Sequence, residues 1–116
     1  MSFSYKAGVP LEADCVFDVR FLKNPYYEQG LKKFSGKNAD VKEYLLNDET
    51  VIKFLKYTEN YLRMMIELLQ KEGRDVFYVA FGCTGGFHRS VFIADEIGRT
   101  FKESGSEVEV FHKNLL

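Results

Sequence analysis

Apolar and polar positions along this chain change period several times, and each change marks a predicted element. Residues 2–6, "SFSYK", alternate with the two-residue period of a strand, and Gly8 and Pro10 in "AGVP" then turn the chain. Residues 15–22, "CVFDVRFL", form a β-branched and aromatic run with alternation around Asp18 and Arg20, which predicts a second strand. Asn24 and Pro25 end it, because proline has no N–H for a sheet ladder. Residues 26–38 show no regular period, and "FSGKN" reads as a loop. Val41 to Leu46 fits a short helix, and Asn47 or Asp48 then caps a longer one. Along it Val51, Leu55, Thr58, Leu62, Met65 and Leu69 recur at spacings of four and three, the stripe of a helix facing a core. Gly73 stands where a helix C-terminal glycine belongs. "DVFYVAFG", 75–82, is nearly continuous apolar sequence, the pattern of a strand buried on both faces of a parallel sheet. Val91, Ala94, Ile97 and Phe101 mark a further helix ending near Gly105, and "EVEVFH" alternates as a final strand.

This βαβαβ order predicts a small single-domain α/β fold of about four mostly parallel strands with flanking helices, in two or three layers. A length of 116 residues suits one domain spanning 1–116, able to bury a core without disulfides or a metal. Hydrophobic residues at 46% and charged residues at 28% are ordinary for a soluble chain. A net charge of -1 supplies no overall attraction to nucleic acid. The longest apolar run, "VFYVAF", is too short for a membrane span, and no basic-then-apolar leader opens the sequence, so neither membrane nor secretion is expected. Two cysteines and two histidines, widely scattered, make neither a disulfide framework nor a zinc site. The expected setting is the reducing cytoplasm, with no metal or cofactor.

Candidate chemistry concentrates in "VAFGCTGGFHRS", 79–90, where an apolar strand runs into the next helix. In open α/β sheets ligands bind beyond the carboxyl ends of the strands. A helix N-terminus there offers unpaired N–H groups and a positive dipole end to an anion. Gly85 and Gly86 let the backbone come close to a ligand, and Arg89 adds a planar fork of donors matched to phosphate oxygens. Thr84 and Ser90 bring hydroxyl donors, and His88 a donor or proton carrier near neutral pH. Together they predict an anion-binding loop for a phosphate or similar oxyanion. Singly, the glycines could be a tight turn and Arg89 a solvated first-turn residue. The stretch lacks the Gly-Lys-Ser/Thr ending of a nucleotide P-loop and the spacing G-x-G-x-x-G.

Cys83 and Arg89 are separated by five residues and followed by Ser90, a spacing similar to the phosphate loop of cysteine-dependent phosphatases. There a thiolate attacks phosphorus while loop amides and the arginine hold the remaining oxygens. Asp14 or Asp18 would be the leaving-group acid. Gly82 stands where many such enzymes carry histidine, and a histidine directly before the arginine is atypical. The plainer reading makes Cys83 a small apolar residue closing a buried strand.

The segments "FSYKAGVPLEADCVFDVRFLKNPYY" and "GCTGGFHRS" together resemble the C-terminal domain of the RapZ (YvcJ-type) family over nearly the whole chain. The resemblance implies a sugar-phosphate-binding fold and, as in some members, sensing of glucosamine-6-phosphate, binding of small RNA and contact with a ribonuclease. It implies that Asp18, Thr84, Gly85, His88 and Arg89 line a phosphosugar pocket, with Cys83 at its floor and Arg20, Asn24 and Tyr26 in support. To these the loop reading adds Gly86 and Ser90. Asp18 would accept from a sugar hydroxyl or pair with an ammonium, or else only form a salt bridge to Arg20 or Arg89. No G-x-x-x-x-G-K-[ST] of the family's ATP-binding domain occurs in this sequence, so nucleotide hydrolysis is not carried over, and the chain is expected to be a stand-alone domain or a fragment. Tyr26 falls where some RNA-regulating relatives have histidine, and the ending "FHKNLL" is not a basic tail, which makes RNA the weaker expected partner. Lys32, Lys33 and Lys37 form a small basic loop, solvated or edging a phosphate or RNA site. Met64 and Met65 read as core filler, Gly98 as a point of close packing, and the aromatics of "PYYEQ" as a contact for a homo-oligomer. The expected function is binding or sensing of a phosphorylated metabolite, foremost an amino-sugar phosphate, with its state passed to a protein or RNA partner. A cysteine phosphatase and a small-RNA adapter are the alternatives.

Overall fold

In the computed structural model, which describes residues 1–115, the apolar run ahead of the loop becomes the central strand β3 (Val79–Cys83). β1 (Ser2–Ser4) and β2 (Cys15–Asp18) flank it, both parallel to it, in the order β1-β3-β2. Ser4 lies opposite Cys83 and Asp18 opposite Gly82, so all three strands reach the same edge of the sheet together. The crossover from β2 to β3 carries a 3-10 turn (Pro25–Tyr27), α1 (Ala39–Leu46) and α2 (Glu49–Lys71), and α3 (Arg89–Glu103) follows β3. Among the described residues no helix is long and apolar enough to cross a membrane.

The helices begin and end where local chemistry dictates. Asn38 accepts from the N–H groups of Asp40 and Val41 and starts α1 two residues before the apolar pattern does, and Asp48 accepts from Thr50 to start α2. Along α2 the predicted stripe buries Val51, Thr58 and Leu62, with Leu55, Met65 and Leu69 partly covered, while Met64 faces solvent instead of filling the core. After Lys71, the Arg74 N–H returns to the Leu69 carbonyl and the Gly73 N–H to that of Gln70, closing the helix at the predicted glycine.

Phe81 and Cys83 share one core with residues of all three helices, including Leu45, Leu62, Phe92 and Ile97. The helices therefore cover a single face, and the arrangement has two layers. On that face Phe17 stacks on Phe81 at 5.3 Å and meets the edges of Phe54 and Tyr61. On the other face Phe3 lies over Gly82, Tyr5 packs its edge against Phe3 at 4.8 Å, and the Arg20 guanidinium caps the Tyr5 ring at 3.8 Å. A Cβ on Gly82 would overlap the rings of Phe3 and Tyr5.

All four predicted strands fall short of their patterns. β1 stops at Ser4, whose carbonyl turns back to accept from Ala7 and Gly8. β2 stops at Asp18, because the Asp18 carboxylate accepts from the Arg20 N–H at 2.9 Å and the Val19 carbonyl from Leu22, folding residues 19–22 into turns. Residues 75–78 lead into β3 without pairing as strand. The predicted final strand contracts to a single parallel bridge between Ser2 and His112. Residues 107–110 join no ladder, so their alternation serves packing, not pairing. Val108 and Val110 pack against the core, and Val110 seats on Gly98, where a Cβ would meet its methyl group. His112 locks the segment in place: Nδ1 accepts from the Ser2 hydroxyl at 2.7 Å and Nε2–H donates to Asp95 at 2.9 Å.

Closure of the second sheet face by aromatic rings predicts that Gly82→Ala costs about 1–3 kcal/mol in urea unfolding. Gly85→Ala, with open space around the added methyl, should stay within about 0.5 kcal/mol of wild type. Equal effects would contradict the packing of Phe3 over β3.

Candidate functional site

The chain wraps around Cys83 on leaving β3. Tyr5 donates its N–H to the Cys83 carbonyl at 3.0 Å and the Ser4 hydroxyl donates to the Thr84 carbonyl at 2.7 Å, pinning the loop's first residues to β1. Gly86 then turns with φ +65, its α-carbon so close to the backbone of Phe3 and Ser4 that a Cβ would sit 2.9 Å from the Ser4 nitrogen. The Phe87 carbonyl accepts from Gly36 at 2.8 Å, and α3 begins two residues later. This path brings Ser90 Oγ to 3.1 Å from Cys83 Sγ and turns the N–H groups of Gly86, Phe87 and Ser90 toward the sulfur. Burial pushes the thiol pKa up, but the Ser90 hydroxyl and these amides outweigh it and bring Cys83 below the ordinary thiol value.

Arg89 is 4% exposed. Its Nη1 donates to the carbonyls of Arg20 at 2.6 Å and Leu22 at 3.1 Å, while the enclosed Nε has no partner. A buried donor left unfilled costs about 1–3 kcal/mol until an acceptor arrives. Among the described residues, the amides of Thr84, Gly85, His88 and Arg89 also donate to no protein acceptor. These are the groups that a helix start leaves for an anion.

A cavity of about 740 Å³ opens over this loop. Cys83, Thr84, Gly85, Phe87, His88 and Arg89 form one wall, Asn24, Tyr26 and Tyr27 another, and Lys6, Lys32 and Lys33 complete it. Among the described residues no carboxylate lines it and the three lysines form no ion pair. Lys32 Nζ lies 4.4 Å from the centre of the Tyr26 ring. Lys37, the third lysine of the basic loop, pairs with Asp95 at 3.2 Å instead.

The sequence-predicted residues divide into three groups. Thr84, Gly85, His88, Arg89, Asn24 and Tyr26 meet on the cavity wall. Gly86 and Ser90 stand behind it, one shaping the turn and the other holding the thiol. Asp18 and Arg20 lie beside the wall and hold one another, Arg20 Nη2 to Asp18 Oδ2 at 2.7 Å. The Arg20 hydrogen bond, with the charges of Arg20 and Arg89, keeps the Asp18 carboxyl below its usual range. Asn24 accepts from the Tyr26 N–H at 3.0 Å and so fixes the turn that carries Tyr26 and Tyr27. Asp14, the other candidate acid, precedes β2 at the opposite end of the sheet, bound to Arg74 at 2.8 Å and the Tyr78 N–H at 2.8 Å. His88 Nε2 lies 2.9 Å from the Lys32 carbonyl, so that nitrogen carries the hydrogen and tethers the basic loop. Sequence reasoning missed Lys6, Tyr27 and Phe87; Lys6 was recoverable as a cation just past the carboxyl end of a strand.

Comparison with known proteins bears on the whole chain. A family model described as the RapZ C-terminal domain matches residues 1–116. A nucleotide-binding protein of Histophilus somni is 44% identical over 114 residues, 98% of this chain and 40% of that protein. One from Caldicellulosiruptor bescii is 43% identical over 115 residues, 99% of this chain and 40% of its own length. One from Actinobacillus succinogenes is 42% identical over 114 residues with coverage of 98% and 40%. The chain thus spans about 40% of the length of these relatives.

Burial lowers the His88 pKa below its usual value, against the raising effect of the Lys32, Leu31 and Phe34 carbonyls. The unfolded chain therefore binds more protons than the folded one as pH falls below about 6.5, and stability is lost as pH drops through the folded value. Unfolding free energies measured between about pH 7.5 and pH 5 should fall in the wild type and fall less in His88→Gln, which keeps a donor for Lys32. Parallel pH profiles would show that this ring is not buried neutral.

Proposed function

Because the chain belongs to the RapZ C-terminal domain family, we propose that it binds a phosphorylated metabolite whose phosphate seats on the Cys83–Ser90 loop. The observation that carries this reading is the buried Arg89 guanidinium, with an unfilled Nε, beside unpaired loop amides in a cavity whose charged lining is entirely basic. Each charge-assisted hydrogen bond to phosphate contributes about 1.5–3 kcal/mol. Lys6, Lys32 and Lys33 add charge at longer range.

An amino-sugar phosphate such as glucosamine-6-phosphate is the ligand favoured by the resemblance. The cavity has room for a ring beyond the phosphate, and Tyr26 and Tyr27 offer it flat walls. The amine would look to Asp18, which lies within electrostatic reach of Arg89 and would have to share its carboxylate with Arg20. The relatives' name, nucleotide-binding protein, makes a nucleotide the natural competitor to test. The loop's departure from both nucleotide fingerprints weighs against it.

Calorimetry with glucosamine-6-phosphate, inorganic phosphate, glucosamine and ATP separates these ligands. The expected order is the sugar phosphate first, phosphate weaker, and glucosamine without measurable heat. Arg89→Lys keeps the charge but loses the planar fork and should weaken the sugar phosphate at least about tenfold. Equal binding of glucosamine and its phosphate, or no change in Arg89→Lys, would overturn the reading.

A further inference from the structure

The seat proposed for phosphate also holds a nucleophile. Cys83 Sγ sits at the hub of the loop, 3.1 Å from Ser90 Oγ, and Cys83, although only 2% exposed, is among the residues that line the same cavity as Arg89. Arg89 is enclosed by protein and still has Nε without an acceptor, which marks this wall independently as a place for an anion. A phosphate drawn to the guanidinium and the free amides would thus lie against the sulfur. The groups around the sulfur are those that stabilise a thiolate: a hydroxyl and three N–H groups.

We propose that this loop accepts a phosphoryl group onto Cys83 from an aryl or acyl phosphate, an inference that rests on phosphate binding at the same seat. The thiolate electron pair forms the S–P bond as the P–O bond breaks, and its electrons leave on the phenolate or carboxylate oxygen. Water then attacks phosphorus, the S–P bond breaks with its electrons returning to sulfur, and dihydrogen phosphate departs. The Ser90 hydroxyl donates to the sulfur in this second step and so acts as a positioning residue.

The leaving-group class follows from what the wall lacks. Among the described residues no carboxylic acid lines the cavity. Asp14 is at the far end of the sheet with Arg74, Asp18 is held by Arg20, and the His88 Nε2 hydrogen is spent on the Lys32 carbonyl. With only ammonium and phenol groups, both weak acids, left to protonate it, a leaving oxygen departs best as a stable anion, which phenols and carboxylic acids provide and sugar alcohols do not. Lys6, Lys32 and Lys33 would steady that anion, and Tyr26 and Tyr27 would flank an aromatic ring. A sugar phosphate would then be bound without being turned over, consistent with one seat serving both as receptor and as acceptor.

Rapid-quench kinetics with p-nitrophenyl phosphate provide the test. The wild type should release a burst of up to one equivalent of nitrophenolate and carry the mass of one phosphoryl group on the peptide containing Cys83. Glycerol phosphate should react about a hundred- to ten-thousandfold more slowly, the range that a missing general acid costs. Cys83→Ser should abolish the burst while still binding inorganic phosphate by calorimetry. Ser90→Ala should keep the burst, slow the steady state and move the thiol limb of the pH–rate profile upward. Phosphate binding in the wild type with neither burst nor phosphocysteine would overturn the thiol proposal and leave the binding reading standing. Nitrophenolate release that survives in Cys83→Ser would overturn it as well. Absence of phosphate binding altogether would remove both.

Discussion

A guanidinium buried against two main-chain carbonyls joins the end of β2 to the start of α3. Arg89 Nη1 meets the Arg20 and Leu22 carbonyls, and those carbonyls point inward because the chain bends after Asp18. Had residues 19–22 continued as strand, they would have extended the sheet edge and left the arginine no such anchor. A buried charge is tolerated only when it is hydrogen-bonded, and a carboxylate partner would normally complete the set. Here the nearby carboxylate, Asp18, is committed to Arg20. The guanidinium is held firmly in place and left short of negative charge, the condition of a site prepared for an anion.

Much of this was legible in the sequence wherever the cause is local. The Asp48 cap and the Val51, Thr58 and Leu62 stripe specify α2 with no help from elsewhere. The Cys83–Ser90 loop was legible because its features, a strand end, a glycine turn and a helix start, are all contained in a dozen residues. What failed depended on distant partners. "EVEVFH" alternates because Val108 and Val110 pack against the core, and period-two packing looks like a strand in sequence whether or not a neighbour pairs with it. His88 read as a donor or a proton carrier, and the carbonyl that takes its Nε2 hydrogen lies 56 residues earlier, out of reach of any local pattern. The role of Asp18 turned on which arginine would reach it, and the turn at residues 18–20 places Arg20 there first.

The two ends of the sheet differ in charge. At the amino end Asp14 is satisfied by Arg74 and the Tyr78 amide, and at the chain's C-terminal segment Glu12 pairs with Lys113 and Asp95 with His112 and Lys37. At the carboxyl edge the carboxylate of Asp18 is neutralised by Arg20, and the charged residues lining the cavity there are cationic.

A molecule with a net charge of -1 therefore presents a local positive funnel over Thr84 and Gly85. Oppositely charged solutes entering within a screening length, about 8 Å at physiological ionic strength, would be steered toward the loop before any contact forms. Capture would be hastened there, so that selectivity would begin in the encounter itself.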